Sequence, residues 1–325
     1  MTYNSADVIE DCLSSLKSSD HQELKIVLVD NCSPDETVNS IRNFDRGDLT
    51  YQEVSSEQAA QANSSDQFDI TLIASQQNTG FAGGVNQGLV YLLNDPGIDL
   101  FWVLNPDVMV APDTAKQYAL RAKEVGEFGL MGGRILYVSP ANVIQTDGGM
   151  INPRTGICSG IHAGMPATTP PPKYATGQDF VPGASIVTSR QFLETVGLMD
   201  EDYFLYYEEV DWAFRRGQLK LIHAPKAVVR HHGGTAIGSA SIDRKQGSAL
   251  SNYFNYRNRM RFMRKYYARN RWTAYLYSSL KIIKFFGQGH LAEADGALRG
   301  LFDLPPPKKV RQCFSEDVGQ IAFGD

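Results

Sequence analysis

Apolar residues follow two different spacings along this chain, and the spacing divides it into strands and helices. Residues 24–30 (LKIVLVD) form a short, nearly continuous apolar run, typical of a strand buried on both faces of a parallel sheet. Similar runs cover 70–74 and 100–104. Between these runs apolar residues recur every three or four positions, which indicates amphipathic helices. We expect those helices near 5–16, 34–41, 84–93 and from about 112 onward.

The alternation of strands and helices predicts an α/β fold with an open, mostly parallel sheet, because parallel neighbours require crossover connections. Residues 46–67 are polar and rich in Ser, Gln and Asp, and we expect a loop there. From Ser248 onward the pattern is helical, basic and aromatic. We therefore divide the chain into an α/β unit over 1–240 and a helical extension over 241–325.

The charge is unevenly distributed along the chain. It carries 31 Lys+Arg and 36 Asp+Glu, a formal net charge of −5, which argues against a general nucleic-acid binder. Residues 251–290 nevertheless hold nine of the basic residues and no acidic one, interleaved with aromatic residues. A solvated helix face is the default interpretation of such a run, but the composition also suits an anionic membrane surface.

The cysteines and the apolar segments indicate a cytoplasmic protein. The four cysteines (Cys12, Cys32, Cys158 and Cys313) form no CxxC pair, which fits a reducing compartment and argues against a structural zinc site. The late apolar stretch 272–286 is short and interrupted by lysines, so we predict no membrane span there. The basic segment suggests peripheral contact with the inner face of the cell membrane.

Two aspartates stand at the carboxyl ends of predicted strands, where open α/β sheets bind their ligands. Asp30 could accept hydrogen bonds from a base or ribose, and Asp107 could bind a divalent metal together with diphosphate oxygens. Each could equally be a turn residue, since both lie in good turn sequences.

The glycine-rich segment 78–88 (NTGFAGGVNQG) precedes a predicted helix. Its glycines would let backbone amides approach an anion at the helix start. It matches neither GxGxxG nor GxxxxGK[ST]. A structural turn is the alternative.

Glu208, Glu209 and Asp211 fall within one predicted first helical turn. The helix dipole there favours ionised carboxylates, which would keep a general base ready at neutral pH. Asp211 and Arg215 are four residues apart and can pair. The alternative is an ordinary acidic helix start.

His231 and His232 follow a predicted strand and precede two glycines. A histidine at this place could be a metal ligand, although such a pair is more often part of a turn.

Taken together and in this order, these segments resemble the family 2 glycosyltransferases of the GT-A (Rossmann-like) fold. The resemblance is strongest to the bacterial branch that includes rhamnosyltransferases and galactofuranosyltransferases. It rests on a set of short motifs: Thr2-Tyr3-Asn4, Val29-Asp30-Asn31, Asn78 to Gly88, Leu104 to Asp107, Pro182-Gly183-Ala184, Glu208-Glu209-x-Asp211, His231-x-Gly-Gly, and Tyr256-Arg257-Asn258 in the helical extension.

The resemblance implies two groups of donor-binding residues in a nucleotide-sugar-binding and catalytic domain. The nucleotide base and ribose would be held by Thr2, Tyr3, Asn4 and Asp30. The nucleotide-sugar site would be lined by Asn78, Gly83 and Asn86, with Asn105 at the first position of the family's DxD motif as a neutral partner.

The resemblance also implies a metal and a base. Mg²⁺ or Mn²⁺ would bind Asp107 and His231, with His232 as the alternative ligand. Glu209 would be the catalytic base, with Glu208 as the fallback. The enzyme would be an inverting hexosyltransferase that moves a sugar, first of all rhamnose, from a nucleotide diphosphate sugar to a hydroxyl of a saccharide or lipid-linked acceptor in cell-surface polysaccharide synthesis. The competing hypothesis is a catalytically silent nucleotide-sugar-binding scaffold.

One departure concerns the start of the chain. The family pattern places a buried strand directly before the Thr-Tyr-Asn motif, and here that motif begins at residue 2. Without this strand, neighbouring backbone groups would lose hydrogen-bond partners. We therefore expect a natural start about eight residues upstream, roughly one strand length.

Overall fold

The first half of the chain alternates strands with helices, as the spacing of its apolar residues predicts. The computed structural model describes residues 1–21, 23–61, 68–172, 177–233 and 247–324. The strands are β1 (Ile26–Asp30), β2 (Tyr51–Ser55), β3 (Ile70–Ala74), β4 (Leu100–Leu104), β5 (Val108–Val110), β6 (Leu130–Tyr137), β7 (Ile144–Thr146), β8 (Gly149–Ile151), β9 (Cys158–Gly160), β10 (Ser185–Ser189) and β11 (Leu221–His231). The helices are α1 (Ile9–Lys17), α2 (Thr37–Asn43), α3 (Ser56–Gln61), α4 (Gly80–Leu93), α5 (Thr114–Val125), α6 (Arg190–Val196), α7 (Glu208–Phe214), α8 (Ala249–Tyr266), α9 (Arg271–Gly287), α10 (Leu291–Leu301), α11 (Lys308–Arg311) and α12 (Glu316–Phe323).

The strands form two main sheets and one small hairpin. The first sheet has the order β1-β3-β2, and all its pairs are parallel. The second has the order β4-β10-β6-β11-β5 with β7 added on β6, and of its described pairs β6 with β11 alone is parallel. The fold is therefore mixed α/β with flanking helices. The parallel arrangement expected for most of the sheet holds for the first sheet, whereas β10 and β5 enter the second sheet antiparallel to their neighbours.

Residues 51–61 contain regular structure that their polar composition did not predict. Tyr51–Ser55 is the edge strand β2, and its side chains are half-buried or exposed. One edge of β2 faces solvent, so this strand does not need a continuous run of apolar residues. The apolar run by which β1 and β3 were recognised in the sequence is therefore absent from β2. Ser56–Gln61 then forms α3. The remainder of the predicted loop, 62–67, lies outside the described residues.

The C-terminal helices pack directly on the α/β unit. Phe262 of α8 is fully buried in the main core, together with Trp212 of α7 and Ile186 of β10. A second cluster joins α8 with α9 and α10, with Met260 and Ala274 at its centre. In the ranges described, no helix combines the length and the apolar character that crossing a membrane requires. The helical extension is thus part of the framework that positions α7.

A cavity separates the two sheets. On the side away from β3, the described residues provide β1 with one backbone partner, Thr2, which bridges to Asp30. β4 is paired with β10 on one side, and its other side faces the same cavity of about 410 Å³. Side chains of β1, β4 and α4 line it, and Met1 closes one end. The α-amino group of Met1 is buried there, and burial lowers its pKa.

We expect an added apolar strand to stabilise the fold by filling this cavity. A variant with about five extra residues rich in Val and Ile before Met1 should gain about 2 kcal/mol, because each buried aliphatic side chain contributes about 1.5–3 kcal/mol before entropy is subtracted. The extension also replaces the buried amino group by an amide. The measurement is the thermal unfolding midpoint, which should rise by several degrees.

An extension of equal length made of Gly and Ser is the matched control, since it adds the same backbone without apolar side chains. Equal unfolding midpoints for the two extensions would contradict the prediction.

Candidate functional site

The predicted donor-binding residues gather at the carboxyl ends of β1 and β3. Asp30 is 2% exposed at the end of β1. Its carboxylate accepts hydrogen bonds from Thr2 Oγ1 at 3.2 Å and from the amide and hydroxyl of Ser33 at 3.0 and 2.6 Å. Asn4 has a positive φ of 49°, and its amide donates to the same Ser33 hydroxyl at 3.2 Å. The carboxylate therefore holds residues 2–4 against the turn after β1.

Amide side chains join this turn to the start of α4. Asn31 Nδ2 donates to Asn78 Oδ1 at 3.0 Å and to the carbonyl oxygen of Gly80 at 2.8 Å. Tyr3 lies beside Asn78, and burial raises the pKa of the Tyr3 phenol. Gly80 has a φ of +76°, and a Cβ there would lie 2.3 Å from the carbonyl oxygen of Phe204. The glycines thus form the first turn of α4 and allow close backbone packing, as the alternative interpretation of this segment proposed.

Gly83 and Asn86, the other two predicted residues of the glycine-rich segment, lie close to residues 199–201. Asn86 donates to the carbonyl oxygen of Met199 at 3.0 Å and to Glu201 Oε1 at 2.8 Å, and its Oδ1 accepts from the Met199 amide at 3.0 Å. A Cβ at Gly83 would lie 2.6 Å from Thr79 and 3.6 Å from Glu201. Asn86 is therefore placed to hold the segment that leads to α7.

Asp107 and His231 lie together, as predicted for a metal site. β5 and β11 are antiparallel, and His231 pairs with Val108. This pairing brings the imidazole ring of His231 close to Asp107, the residue before Val108. His231 Nε2 is 3.1 Å from Asp107 Oδ1, and His231 Nδ1 is 2.8 Å from Gln145 Oε1. His232, the alternative ligand, donates its backbone amide to the carbonyl oxygen of Asp107 at 3.1 Å.

Gln145 orients the imidazole ring of His231. Its amide oxygen lies 2.8 Å from Nδ1, which leaves Nε2 as the ring nitrogen that faces Asp107 Oδ1 at 3.1 Å. A cation placed between Nε2 and this carboxylate would be coordinated by both. Adjacent ligands in an octahedral shell with bonds of about 2.1 Å are about 3.0 Å apart, so the pair fits Mg²⁺ or Mn²⁺.

Asn105 lies two residues before Asp107 in the chain and lines the cavity between β1 and β4. Its Oδ1 is buried and has no hydrogen-bond partner among the described residues. Within those residues, no cluster of three or more His, Cys, Asp or Glu side chains could hold a metal. A hard cation that takes its remaining ligands from water and diphosphate needs only one or two protein carboxylates. The pair of Asp107 and His231 is of this kind.

The segment Pro182-Gly183-Ala184 connects the metal candidate with the carboxylate pair. β10 runs antiparallel to β4, and the pairing continues as the amide of Asn105 donates to the carbonyl oxygen of Ala184 at 3.1 Å. A Cβ at Gly183 would lie 3.9 Å from Glu209 Cγ. Ala184 therefore pairs with Asn105, and its neighbour Gly183 lies beside Glu209.

Glu208 and Glu209 begin α7 as predicted, but their electrostatics differ from the expectation. Each has an Oε2 atom that is buried without a hydrogen-bond partner in the described structure. Burial raises the pKa of Glu209 to about 6, and burial together with the Glu209 charge raises the pKa of Glu208 well above its ordinary range. The favourable helix start is outweighed because desolvation penalises the ionised form more strongly. Glu209 is thus ionised just below neutral pH, as a general base requires.

Asp211, the third predicted carboxylate, is completely buried and has four side-chain partners. Its Oδ1 accepts from Lys265 Nζ at 2.7 Å, Tyr266 Oη at 2.8 Å and Tyr203 Oη at 3.3 Å. Its Oδ2 accepts from Arg215 Nε at 2.8 Å, the pair expected from their spacing. The structure places Asp211 where it joins α7 to α8.

The loop before α7 has a strained backbone that α8 holds in place. Phe204, Tyr206 and Tyr207 have positive φ values of 58°, 69° and 74°, a region that non-glycine residues rarely occupy. Asn258 Nδ2 donates to the carbonyl oxygens of Tyr203, Leu205 and Tyr206 at 2.6, 2.7 and 3.0 Å. Asn258 belongs to the Tyr-Arg-Asn motif noted in the sequence, but only the structure shows what it contacts.

Comparison with known proteins gives a partial family match. Residues 1–146 match the profile of a family described as glycosyl transferase family 2. This region includes Asp30 and Asp107, whereas Glu209 and His231 lie beyond it. The low-salt glycan biosynthesis hexosyltransferase Agl10 of Haloferax volcanii is 26% identical over 195 residues, which are 59% of this chain and 59% of that protein. The matched part thus spans less than two thirds of this relative.

Solved structures of glycosyltransferases share the fold. TarS 1–349 of S. aureus in complex with UDP-GlcNAc superposes with a TM-score of 0.52 at 15% identity, over 98% of this chain and 83% of that one. The mannosyltransferase PcManGT from Pyrobaculum calidifontis, in complex with GDP-Man and Mn²⁺, gives 0.51 at 16% identity, over 99% and 84%. The chain therefore has a GT-A fold with a helical C-terminal region.

Asn258→Ala should lower the free energy of unfolding by about 2 kcal/mol, because it leaves two buried and one partly buried carbonyl oxygen of the strained loop without this donor. The measurement is denaturant unfolding of the full chain. Asn270→Ala is the matched control: its amide makes one exposed hydrogen bond, to Pro153 at 2.9 Å. We expect a change within about 0.5 kcal/mol for that variant. Equal losses of unfolding free energy in the two variants would contradict the role of Asn258 in holding this loop.

Proposed function

We propose that this chain is an inverting, metal-dependent hexosyltransferase that uses a nucleotide diphosphate sugar. The observation that carries the proposal is that the short segment 182–184 pairs through Ala184 with Asn105, two residues before Asp107, and lies through Gly183 beside Glu209, while Asp107 itself lies 3.1 Å from His231. The match of residues 1–146 to glycosyl transferase family 2 supports the same reaction class.

The donor binds, in this proposal, along the carboxyl ends of β1 and β3. Thr2, Tyr3, Asn4 and Asp30 contact the base and ribose. Asn78, Gly83 and Asn86 shape the adjoining wall, since their own polar groups and close contacts connect α4 with neighbouring loops. Nucleotide sugars are the ligands named for both TarS and PcManGT in their solved complexes.

The acceptor hydroxyl loses its proton to Glu209 in the proposed reaction. The pKa of the acceptor hydroxyl lies far above neutral. Its proton must therefore leave as the hydroxyl oxygen attacks the anomeric carbon and the bond from that carbon to the diphosphate breaks. Glu209 Oε2, buried and unpaired among the described residues, is available to accept that proton. Glu208 is the fallback base. A single displacement inverts the anomeric centre and requires no covalent enzyme intermediate.

Asp107, His231 and Asn105 would hold Mg²⁺ or Mn²⁺. When bound, the ion offsets the negative charge that grows on the departing nucleotide diphosphate. Gln145 Oε1 lies 2.8 Å from His231 Nδ1, so Nε2 is the ring nitrogen that faces Asp107 and would serve as the ligand. PcManGT was solved with Mn²⁺.

Rhamnose, presented as dTDP-rhamnose, is the first donor to test, with UDP-GlcNAc and GDP-mannose beside it. The acceptor in this proposal is a hydroxyl of a saccharide or lipid-linked intermediate of cell-surface polysaccharide synthesis.

Glu209→Gln should abolish transfer while largely sparing donor binding, because the amide keeps the shape of the side chain but cannot take the proton. The assay screens these donors with Mg²⁺ or Mn²⁺, reads nucleotide diphosphate release, and then determines the linkage of the product. We expect a loss of about 10²–10⁴-fold in kcat. The wild-type rate should also fall as pH drops below about 6, where the Glu209 carboxylate takes up a proton.

Glu124→Gln, an exposed change on α5, is the control and should retain activity. Retained turnover in Glu209→Gln would remove Glu209 as the base. Donor binding without turnover for any acceptor in the wild type would favour a silent nucleotide-sugar-binding scaffold.

Gln145→Leu should weaken Mn²⁺ binding by about tenfold or more, because the imidazole loses the acceptor that orients it. The measurement is Mn²⁺ binding by calorimetry or electron paramagnetic resonance, together with the metal dependence of turnover. Gln145→Glu is the conservative control, since a carboxylate also accepts from Nδ1 and should preserve affinity. Equal Mn²⁺ affinity in the Leu variant and the wild type would contradict this role.

A further inference from the structure

α9 displays large apolar side chains on the face that points away from the protein. Trp272, Leu276, Leu280 and Ile283 are 68, 64, 59 and 64% exposed. Their spacing of four, four and three residues places them on one side of the helix. We call these four residues the α9 outer face. An ordinary surface helix places such residues toward the core.

The opposite side of α9 is the one that packs. Ala274, Ser278 and Ile282 are buried, and α9 contacts α8 and α10 through this side. Ser278 accepts a hydrogen bond from Arg259 of α8 at 2.8 Å. At about 100° per residue, the α9 outer face lies opposite Ala274, Ser278 and Ile282. α9 therefore packs on α8 and α10 through one side, and its apolar stripe faces solvent on the other.

The exposed apolar surface continues past α9. Tyr275 stacks on Phe302, which follows α10, with ring centroids 5.8 Å apart. Phe302 is 51% exposed and Leu304 is 45% exposed. α9 and the segment after α10 thus both expose apolar side chains, with Asp303 between Phe302 and Leu304.

The charged residues on α9 and directly before it are all cations. Between 268 and 290 the charged residues are Arg269, Arg271, Lys281 and Lys284. The Arg271 guanidinium lies 5.2 Å from the Trp272 ring. In contrast, the cations of α8 pair with groups of the protein: Arg257 is 1% exposed and donates to the carbonyl oxygen of Ala322 at 2.7 Å, and the partly exposed Arg264 and Lys265 lie 3.8 Å from Asp303 and 2.7 Å from Asp211. Within 251–290, the cations after residue 268 therefore have no acidic neighbour in the sequence.

We propose that the α9 outer face and its four cations dock the protein on an anionic lipid surface, with α9 lying in the plane of the interface. An apolar stripe with basic residues and no acidic ones has the composition of interfacial helices. Lys and Arg next to such a stripe are attracted to anionic headgroups. A second copy of this face would bring like charges together, which disfavours self-association. This docking is independent of the transfer chemistry proposed above.

The test is flotation of the full chain with vesicles of phosphatidylcholine alone or with about one third phosphatidylglycerol, without any sugar donor. The wild type should bind the anionic vesicles, and binding should decrease with salt. Leu276→Ser/Leu280→Ser should reduce the partition coefficient by at least about tenfold, because it removes apolar groups that enter the interface. Lys281→Glu/Lys284→Glu should reduce it similarly, through charge alone.

α5 supplies matched controls for both variants. Leu120 is 53% exposed, so Leu120→Ser removes an equally exposed leucine elsewhere. Lys116→Glu/Lys123→Glu makes the same charge change on that helix, where both lysines are exposed. Both controls should bind like the wild type. The proposal is overturned if the wild type ignores anionic vesicles or if the controls lose as much binding as the α9 variants. It is also overturned if light scattering shows a dimer that Leu276→Ser/Leu280→Ser dissociates.

Discussion

Burial of two adjacent carboxyl groups at the start of α7 is the constraint on which the second half of this structure depends. Glu208 and Glu209 each keep an oxygen away from water and from any partner among the described residues, and burial raises the pKa of both. The loop before them has left-handed backbone at three non-glycine positions. Both features cost free energy, so they persist only where the surroundings hold them rigidly.

α8 provides this rigidity by directing polar side chains inward. Asn258 binds three carbonyl oxygens of the strained loop, and Lys265 and Tyr266 bind Asp211 at 2.7 and 2.8 Å. The helix that supports the carboxylates also seats α9, whose outer side carries exposed leucines and cations. The helical extension thus connects the carboxylates of α7 to the exposed apolar face of α9.

The sequence predicted the parts of the fold whose signal is local. β1, β3 and β4 are buried runs, and their bounds agree with prediction to within two residues. The edge strand β2 was missed because a strand half-open to solvent has no apolar run. The antiparallel entry of β10 and β5 was missed because strand direction depends on pairing between distant residues. Of the site, the family resemblance named Asp107, His231 and Glu209, whereas Gln145 carried no signal of its own.

By itself, the sequence determined the residue types and their order, which were enough to indicate a GT-A-like α/β chain with an aspartate after each of two strands, an acidic helix start and a histidine after a later strand. Only the tertiary structure decided how those groups behave. Burial reversed the expected effect of the helix start on Glu209, because desolvation is set by atoms from the whole chain. The tertiary structure also showed that Arg257 and Arg259 of α8 are buried whereas Lys281 and Lys284 of α9 are exposed, since charge composition records no direction.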